Sequence, residues 1–483
     1  MSLAAMPAQG HVDVAEVHGR PGVHATGPAR LHWRDGRLSR IEPLPSLPPA
    51  AADLIALPGL ANAHDHGRGL KTLAFGARDQ TLETWLAELA LEPQVDPYLR
   101  AAVAFARMAE GGIVAANHCH NTQDGRALLR EAEGVARAAR DVGLRIAFAV
   151  PFAGRNGVVY GDLQPVLDRL PPHDHARLLQ LRRPSRTLQE NLDLVERIAE
   201  LEGPTFQVQY GPVGPQWVDD ETLAAIARAS ADTGRRVHMH LFETRRQRDW
   251  ARAQHPQGLL RHLDALGLLS PRLTVAHAVW LDDDDCALLS ERGVSLSANV
   301  SSNLRLRSGQ PPWGCYAHHR LRFGLGLDGM SLDDDDDLLR ELRLAWHQAC
   351  THGGEAFTPS RLFDAACADG RRTVTGDDGG GRLEAGAPAD LLVLDTGRIV
   401  RDRLSPQRPT RLELVLARAT RQDVRTVVVA GRTVVQDGAC TGVDRPALED
   451  ALRDQARQAL ERHPPDAAAI DRLRVALRQH HGC

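Results

Sequence analysis

Lysine is nearly missing from this chain: of 58 basic residues only Lys71 is one, and the rest are arginines. Aromatic residues are scarce at 4%, so no basic patch with interleaved stacking rings can be assembled, and nucleic-acid binding has no support. A net charge of −4 offers little to a polyanion. No apolar run approaches the roughly 18 residues that a membrane-crossing helix needs, and no signal-peptide pattern opens the chain. The seven cysteines, Cys119, Cys286, Cys315, Cys350, Cys367, Cys440 and Cys483, are odd in number and contain no Cys-x-x-Cys pair. Scattered in this way they read as reduced thiols of a cytoplasmic protein, not as a disulfide framework.

What is present begins at Asn62-Ala63-His64-Asp65-His66-Gly67-Arg68. The apolar run Leu54-Ile55-Ala56-Leu57 reads as a buried strand, broken by Pro58-Gly59 and resumed by Leu60-Ala61-Asn62. His64 and His66 then fall at a strand tip, two apart, with both imidazoles on one face. They can share a metal ion, since neutral imidazole is a common zinc ligand. An HxH triplet alone reads equally as two solvent-exposed loop histidines.

Three further stretches separate the two readings: Val237-His238-Met239-His240-Leu241-Phe242-Glu243-Thr244, Leu273-Thr274-Val275-Ala276-His277-Ala278, and Gly324-Leu325-Gly326-Leu327-Asp328-Gly329. Each is a short β-type run ending in a polar group and flanked by helical patterns. The intervals leave room for whole βα units, with Val294 to Ala298 as the strand between the last two. His, His, Glu, His and Asp then lie at the C-terminal ends of strands 1, 5, 6 and 8 of an α/β chain, a (β/α)8 barrel, whose active sites sit at that end. With 483 residues the chain accommodates such a barrel and a smaller domain.

At these motifs the chain resembles the amidohydrolase superfamily, within it the branch of cytosine deaminase-like and triazine hydrolase-like enzymes. The matching segments are PGLANAHDH, HMHLFET, VAHAVWL, SANVSSNLRLRSG and GLGLDG, together with Gly381 to Asp395, and they run in order from about residue 54 to 435. The resemblance implies a TIM barrel beside a small β-sandwich built from both chain ends. Residues 1–57 would form one half of the sandwich, 58–375 the barrel, 376–445 the other half and 446–483 a helical tail. In the sandwich halves, Val23 to Thr26, Ala29 to Trp33, an Asp35-Gly36 turn, Arg37 to Ile41, Ala389 to Asp395, Val424 to Ala430 and Thr433 to Val435 read as strands. No internal repeat appears beyond the βα alternation.

The resemblance also implies the chemistry. One divalent metal ion per chain, zinc first and iron(II) compatible with the same donors, is held by His64, His66, His240 and Asp328. Hydroxide on that metal attacks an electron-poor ring carbon. Asp328 handles the water proton, Glu243 shuttles a proton to a ring nitrogen, and His277 bonds the attacking water or the developing oxyanion. His238 shares a face with His240. The HLxE pattern, with glutamate three after the ligand, selects His240 and leaves His238 deeper in the barrel. Binuclear relatives use a strand-4 lysine; the expected strand 4, Thr205 to Pro212, has none, which favours one metal. His118 and His120 read as a core pair with His120 lining the pocket. Trp85, Arg155, Tyr210, Trp280, Asn303 and Arg305 complete the candidate substrate contacts, each explicable also as loop packing. The acidic runs Asp282 to Asp285 and Asp333 to Asp337 read as helix caps.

The expected activity is hydrolysis of a carbon–nitrogen, non-peptide bond of a cyclic amidine, releasing ammonia from an aminated N-heterocycle. The alternative is the same scaffold acting on a cyclic amide, a formimino group, or a chlorinated or alkylamino triazine-like ring, since fold resemblance cannot choose the leaving group. A non-catalytic binding protein of this fold is disfavoured by the intact ligand set. The expected partners are a small heterocyclic substrate and a second copy in a homodimer, with neither nucleic acid nor membrane.

Overall fold

A computed structural model describes residues 9–154, 159–180, 186–405 and 408–482. At its centre is a closed barrel of parallel strands: β1 (Leu60–Asp65), β2 (Ile113–Cys119), β3 (Arg145–Phe152), β4 (Phe206–Pro212), β5 (Val237–Leu241), β6 (Leu273–His277), β7 (Ser295–Ala298) and β8 (Phe323–Leu325). Helices cover the outside, so β2 and β6 are buried along their whole length. That is why β3 reads as a near-continuous apolar run, whereas β4, β5 and β7 alternate polar and apolar residues between the barrel interior and the helices outside. The ring closes where β8 meets β1, Leu325 opposite Asn62.

The helix Ala368–Thr375 stoppers the lower end. A side-chain carbon on Gly370 would lie 2.9 Å from the Ala61 carbonyl oxygen, so only glycine permits this approach. The Thr373 carbonyl accepts from Asn117 Nδ2 at 3.1 Å and from Arg236 Nε at 3.2 Å.

Beside the barrel lie two sheets. One pairs Gln9–Val14, Ala29–Arg34 and Arg37–Pro43. The other places Leu54–Pro58 against Leu391–Asp395, followed outward by Val424–Val429 and Arg432–Gln436. Both ends of the chain therefore contribute strands to one sheet. Val14, Leu31, Leu38, Leu391, Val393 and Val428 form the core between the sheets, and Trp33 Nε1 donates across it to the Gly431 carbonyl at 2.9 Å. The tail is two helices, Arg445–Arg462 and Ala467–His481, separated at Pro464-Pro465, which cannot continue a helix. No helix is long and apolar enough to cross a membrane among the described residues.

One expectation is corrected. Cys286 and Cys315 are joined as a disulfide, while Cys119, Cys350, Cys367 and Cys440 are free thiols. The bonded pair sits on separate helices, Asp283–Glu291 and Trp313–His318, so no local spacing announces it. The acidic runs do serve as caps: Asp282 and Asp285 form a capping box, and Asp337 accepts from Leu339 N and Arg340 N.

Asp390 ties the barrel to the flanking sheet. Its buried carboxylate lies 2.9 Å from Arg371 Nη1 and 3.1 Å from Arg145 Nε, and accepts from Ala430 N at 2.6 Å. Replacing Asp390 by Ala removes one of two carboxylates from the buried Arg371 guanidinium, Asp378 remaining at 2.6 Å, and leaves Ala430 N without its acceptor. The expected loss in urea denaturation is about 1–3 kcal/mol. Breaking the exposed Arg457–Asp454 pair is expected to change stability by less than about 1 kcal/mol.

Candidate active site

Alternation along β1 turns His64 and His66 into the barrel mouth and Asp65 away from it. Asp65 accepts from Gly67 N at 2.7 Å, Gly329 N at 3.0 Å and Asn62 Nδ2 at 2.9 Å. Asn62 Oδ1 accepts from Leu327 N at 3.0 Å, and the His64 carbonyl from Asp328 N at 2.9 Å. This seam holds Asp328 at φ 58° over both imidazoles. Asp328 Oδ1 lies 3.0 Å from His64 Nε2 and 3.1 Å from His66 Nε2. A side chain on Gly326 would collide with Ser297, Asn299 and His64, so the tip of β8 needs glycine to reach this position.

His240 comes from β5, its ring 4.8 Å from that of His64 and 5.5 Å from that of His66. The other ring nitrogens are taken. His66 Nδ1 faces the Cys119 carbonyl at 2.8 Å and His240 Nδ1 the Val213 carbonyl at 2.7 Å. A carbonyl only accepts, so each Nδ1 carries the proton, and a neutral ring presents a lone pair at Nε2. Burial pushes His64 well down and His240 to about 3, so both rings are neutral at ordinary pH. His64 Nε2 is buried with no hydrogen-bond partner. Lone pairs facing a carboxylate oxygen at about 3 Å repel unless a cation lies among them. Three imidazoles and one carboxylate are a donor set that fits a divalent metal ion. His238 sits behind, its Nε2 2.7 Å from His64 Nδ1. Cys119 Sγ is also near His66 and His240, but burial pushes its thiol up to about 12, so it stays protonated.

The proton-handling groups lie on the other side. His277, at φ 69°, has Nε2 3.7 Å from Glu243 Oε2 and 4.0 Å from Asp328 Oδ2, and its Nδ1 is 3.0 Å from Asn303 Oδ1. Burial pushes the Glu243 carboxyl up to about 7; His277 opposes this, and the Asp328 and Glu83 carboxylates add to it. Ser308 Oγ donates to Glu243 Oε1 at 3.3 Å. Burial works against ionisation of Asp328, and a cation among the His64 and His66 nitrogens would outweigh it, holding the carboxyl well below the usual range. Ser302 Oγ donates to Asp328 Oδ2 at 2.5 Å. Glu341, on the helix after β8, accepts from Ser301 N at 3.0 Å and from its hydroxyl, and so fixes the turn carrying Ser302 and Asn303.

The helix Leu82–Glu88 roofs the mouth. Trp85 packs on Ala77, Leu306 and Met330, from the loops after β1, β7 and β8, and its Nε1 is buried without a partner. Glu83 binds Thr244 Oγ1 at 2.6 Å and accepts from Tyr160 OH at 3.1 Å, joining the roof to the segment that carries Glu243.

The structure thus brings together His64, His66, His240, Glu243, His277, Asp328, Trp85 and Asn303. Other expected contacts lie elsewhere. Tyr210 points out of β4 towards Thr233, because its neighbour Gln209 takes the inward position and bonds Asn117 at 3.0 Å. Arg305 has its donors committed to Asp79 at 3.0 Å, the Ser331 carbonyl at 2.8 Å and Asp334 at 2.5 Å, so it clamps loops. His120 bonds His118 at 3.0 Å and Glu131 at 2.7 Å, and Trp280 Nε1 donates to the Ser308 carbonyl at 2.7 Å. Arg155 lies outside the described residues. Sequence reading assigns no role to Glu341, Glu83, Tyr160 and Ser308. Ser308 stands within a matching motif and Glu83 within Leu82 to Leu86, which resembles a pocket-covering segment, but Glu341 and Tyr160 come from a distant helix and loop and carry no local signal.

Residues 55–434 match the amidohydrolase family. The chain is 28% identical over 408 residues to 5'-deoxyadenosine deaminase of Methanoregula boonei, covering 83% of this chain and 84% of the relative. It is 28% identical over 420 residues to 5-methylthioadenosine/S-adenosylhomocysteine deaminase of Nitratidesulfovibrio vulgaris, covering 84% and 86%. In fold it is similar to a zinc-bound adenosine deaminase of Xanthomonas campestris, with a TM-score of 0.76 and 22% identity over 93% of this chain and 98% of that one. It is equally similar to a variant of atrazine chlorohydrolase from Arthrobacter aurescens complexed with zinc and atraton, with a TM-score of 0.76 and 19% identity over 92% and 98%.

His240→Ala is expected to abolish metal retention at the barrel mouth. His238→Ala keeps every donor but frees the His64 ring, and is expected to lower metal affinity by about 10–100-fold. Competition with a chromophoric chelator measures both. Equal retention by the two variants would refute the assignment.

Proposed function

The chain belongs to the amidohydrolase family, and we propose that it is a metal-dependent aminohydrolase that removes ammonia from an aminated N-heterocycle. The reading rests on one observation: three imidazole nitrogens and the Asp328 carboxylate converge beside Glu243, a second buried carboxyl 3.7 Å from His277.

His64, His66, His240 and Asp328 would hold one divalent ion, zinc in preference to iron(II). When bound, such an ion lowers the pKa of a water to about 7, making a nucleophile available at neutral pH. The remaining work falls to side chains. Asp328 is ionised and takes a proton at Oδ2, the oxygen to which Ser302 donates. Glu243 carries a proton that it delivers to a ring nitrogen, so the carbon bearing the amino group becomes more electrophilic. His277 faces both carboxylates and steadies the oxygen that adds to the ring. Asn303 Nδ2 and Trp85 Nε1, both buried and unpartnered, are donors for the heterocycle. The names of the curated relatives support a purine ring carrying an amino group. Release of chloride or an alkylamine from a triazine remains the second reading, by likeness of fold alone.

An ammonia-release assay across aminated purines, pyrimidines, pterins and triazines tests the reading. Chloride or alkylamine release without ammonia would replace it with the alternative. Glu243→Gln keeps the shape but cannot carry a proton; it is expected to retain metal and lose turnover by about 10²–10⁴-fold. A loss of only a few-fold would remove Glu243 from the mechanism.

The pH dependence has a definite sign. The acting form of Glu243 is protonated, so turnover falls as pH rises through its pKa. That limb lies at or below about 7, because a bound cation favours the carboxylate. A pH–kcat profile on any accepted substrate measures it. A rate that keeps rising well above pH 7 would contradict a proton-donating Glu243.

A further inference from the structure

A second group of metal-ligating side chains lies on the outside of the barrel. Cys286 and Asp283 are three apart on the helix Asp283–Glu291, and Cys315 and His319 are four apart at the helix Trp313–His318. Both spacings put the two side chains of a pair on one helix face. The helices bring the faces together. His319 Nε2 is 2.7 Å from Asp283 Oδ1, which is 3.9 Å from Cys315 Sγ, and Cys315 Sγ is bonded to Cys286 Sγ. Asp283, Cys315 and His319 each offer a ligand atom within 4.8 Å of the others.

The surroundings set this group apart from an ordinary acidic cap. Asp282 and Asp285 are paired with Arg248, and Asp284 with Arg261. Asp283 instead faces an imidazole and a sulfur. Cys286 is fully buried, Cys315 and His319 are partly buried, and Asp283 is open to solvent, so an ion could enter from one side.

We infer that, with the Cys286–Cys315 bond reduced, these four residues form a zinc site distinct from the barrel mouth. Two thiolates, an imidazole and a carboxylate match zinc in softness and number, and complete a closed, tetrahedral, structural type of site. The exchange balances. A dithiol reductant supplies two electrons and two protons, the S–S bond becomes two thiols, and the reductant leaves as its own disulfide. Zinc entry then releases the two thiol protons. In either state the cluster ties the helix after β6 to the loop after β7. Tyr316, next to Cys315, donates its hydroxyl to the Ala278 carbonyl at 3.3 Å, one residue beyond His277. The site would thus brace the segments that present His277 and Asn303.

Cobalt(II) separates this site from the catalytic one, because only thiolate ligands give a strong near-ultraviolet charge-transfer band. Metal-free protein, reduced and titrated with cobalt, is expected to show that band and to bind one more equivalent per chain than Cys286→Ser/Cys315→Ser. The band is expected to be absent from that variant and from unmutated protein oxidised beforehand, a control that needs no substitution. His319→Ala is expected to weaken cobalt binding at this site by at least about tenfold. No band in the reduced protein would overturn the inference. A band that survives in the double variant and vanishes in Cys119→Ser would also overturn it, placing the thiolate at the barrel mouth. Loss of metal from His240→Ala with the band intact leaves this site standing, so the two assignments fail separately.

Discussion

The active site depends on the seam where the barrel closes. β8 pairs with β1, the strand most distant from it in sequence, and the bond between Asp328 N and the His64 carbonyl sets one donor above the other two. Asn62 and Asp65 complete the seam with side chains that bind the backbone of the opposite loop. Asp65 is therefore part of the HDH triplet without being a ligand. Its position between two inward histidines is forced by strand alternation, and its carboxylate, turned away from the proposed metal site, is free to hold Gly329. Loss of this seam would separate Asp328 from the histidines before any of them moved on its own strand.

Two buried carboxyl groups then acquire opposite characters a few ångströms apart. Asp328 accepts from a serine hydroxyl and faces the His64 and His66 nitrogens, where a bound cation would favour the ion. Glu243 has one weak hydroxyl donor and lies in the field of other carboxylates, so burial pushes its carboxyl up to about 7. Environments that push two titrating groups apart are what a paired acid and base require. The same logic explains the backbone. Phe242, His277 and Asp328 have φ of 47°, 69° and 58°, a region that residues other than glycine seldom occupy. Each lies at or just past a strand end, where the seam and the loop bonds can impose it, and such strain gathers where side chains must be aimed.

The strand tips carrying His64, His66, His240, His277 and Asp328 are legible in the amino-acid sequence because a barrel strand is short, apolar and punctuated by one polar residue. The break at Pro58-Gly59 is legible too, and it is where the chain passes from the flanking sheet into β1. Substrate contacts are not legible to the same degree. Whether Tyr210 points in or out depends on the register within β4: Phe206, Val208 and Tyr210 alternate with Gln207 and Gln209, but in a barrel covered by helices the polar face can be the inner one, as it is at Gln209. Arg305 reads as a ligand for substrate because its acidic partners come from two other loops, after β1 and β8. The Cys286–Cys315 pairing escapes sequence reading for the same reason: it joins two helices across a βα unit.

Arginine carries most of the ion pairing around the barrel mouth. With lysine nearly absent, cross-loop ion pairs at the barrel mouth fall largely to guanidinium groups, as at Arg246–Glu83, Arg305–Asp79 and Arg248–Asp285. A guanidinium stays charged at any working pH and holds two acceptors in a fixed plane, whereas a buried ammonium readily loses its proton. The cationic half of each brace therefore does not titrate near neutrality. Glu243, by contrast, has no arginine among the groups that set its protonation, and burial pushes its carboxyl up to about 7.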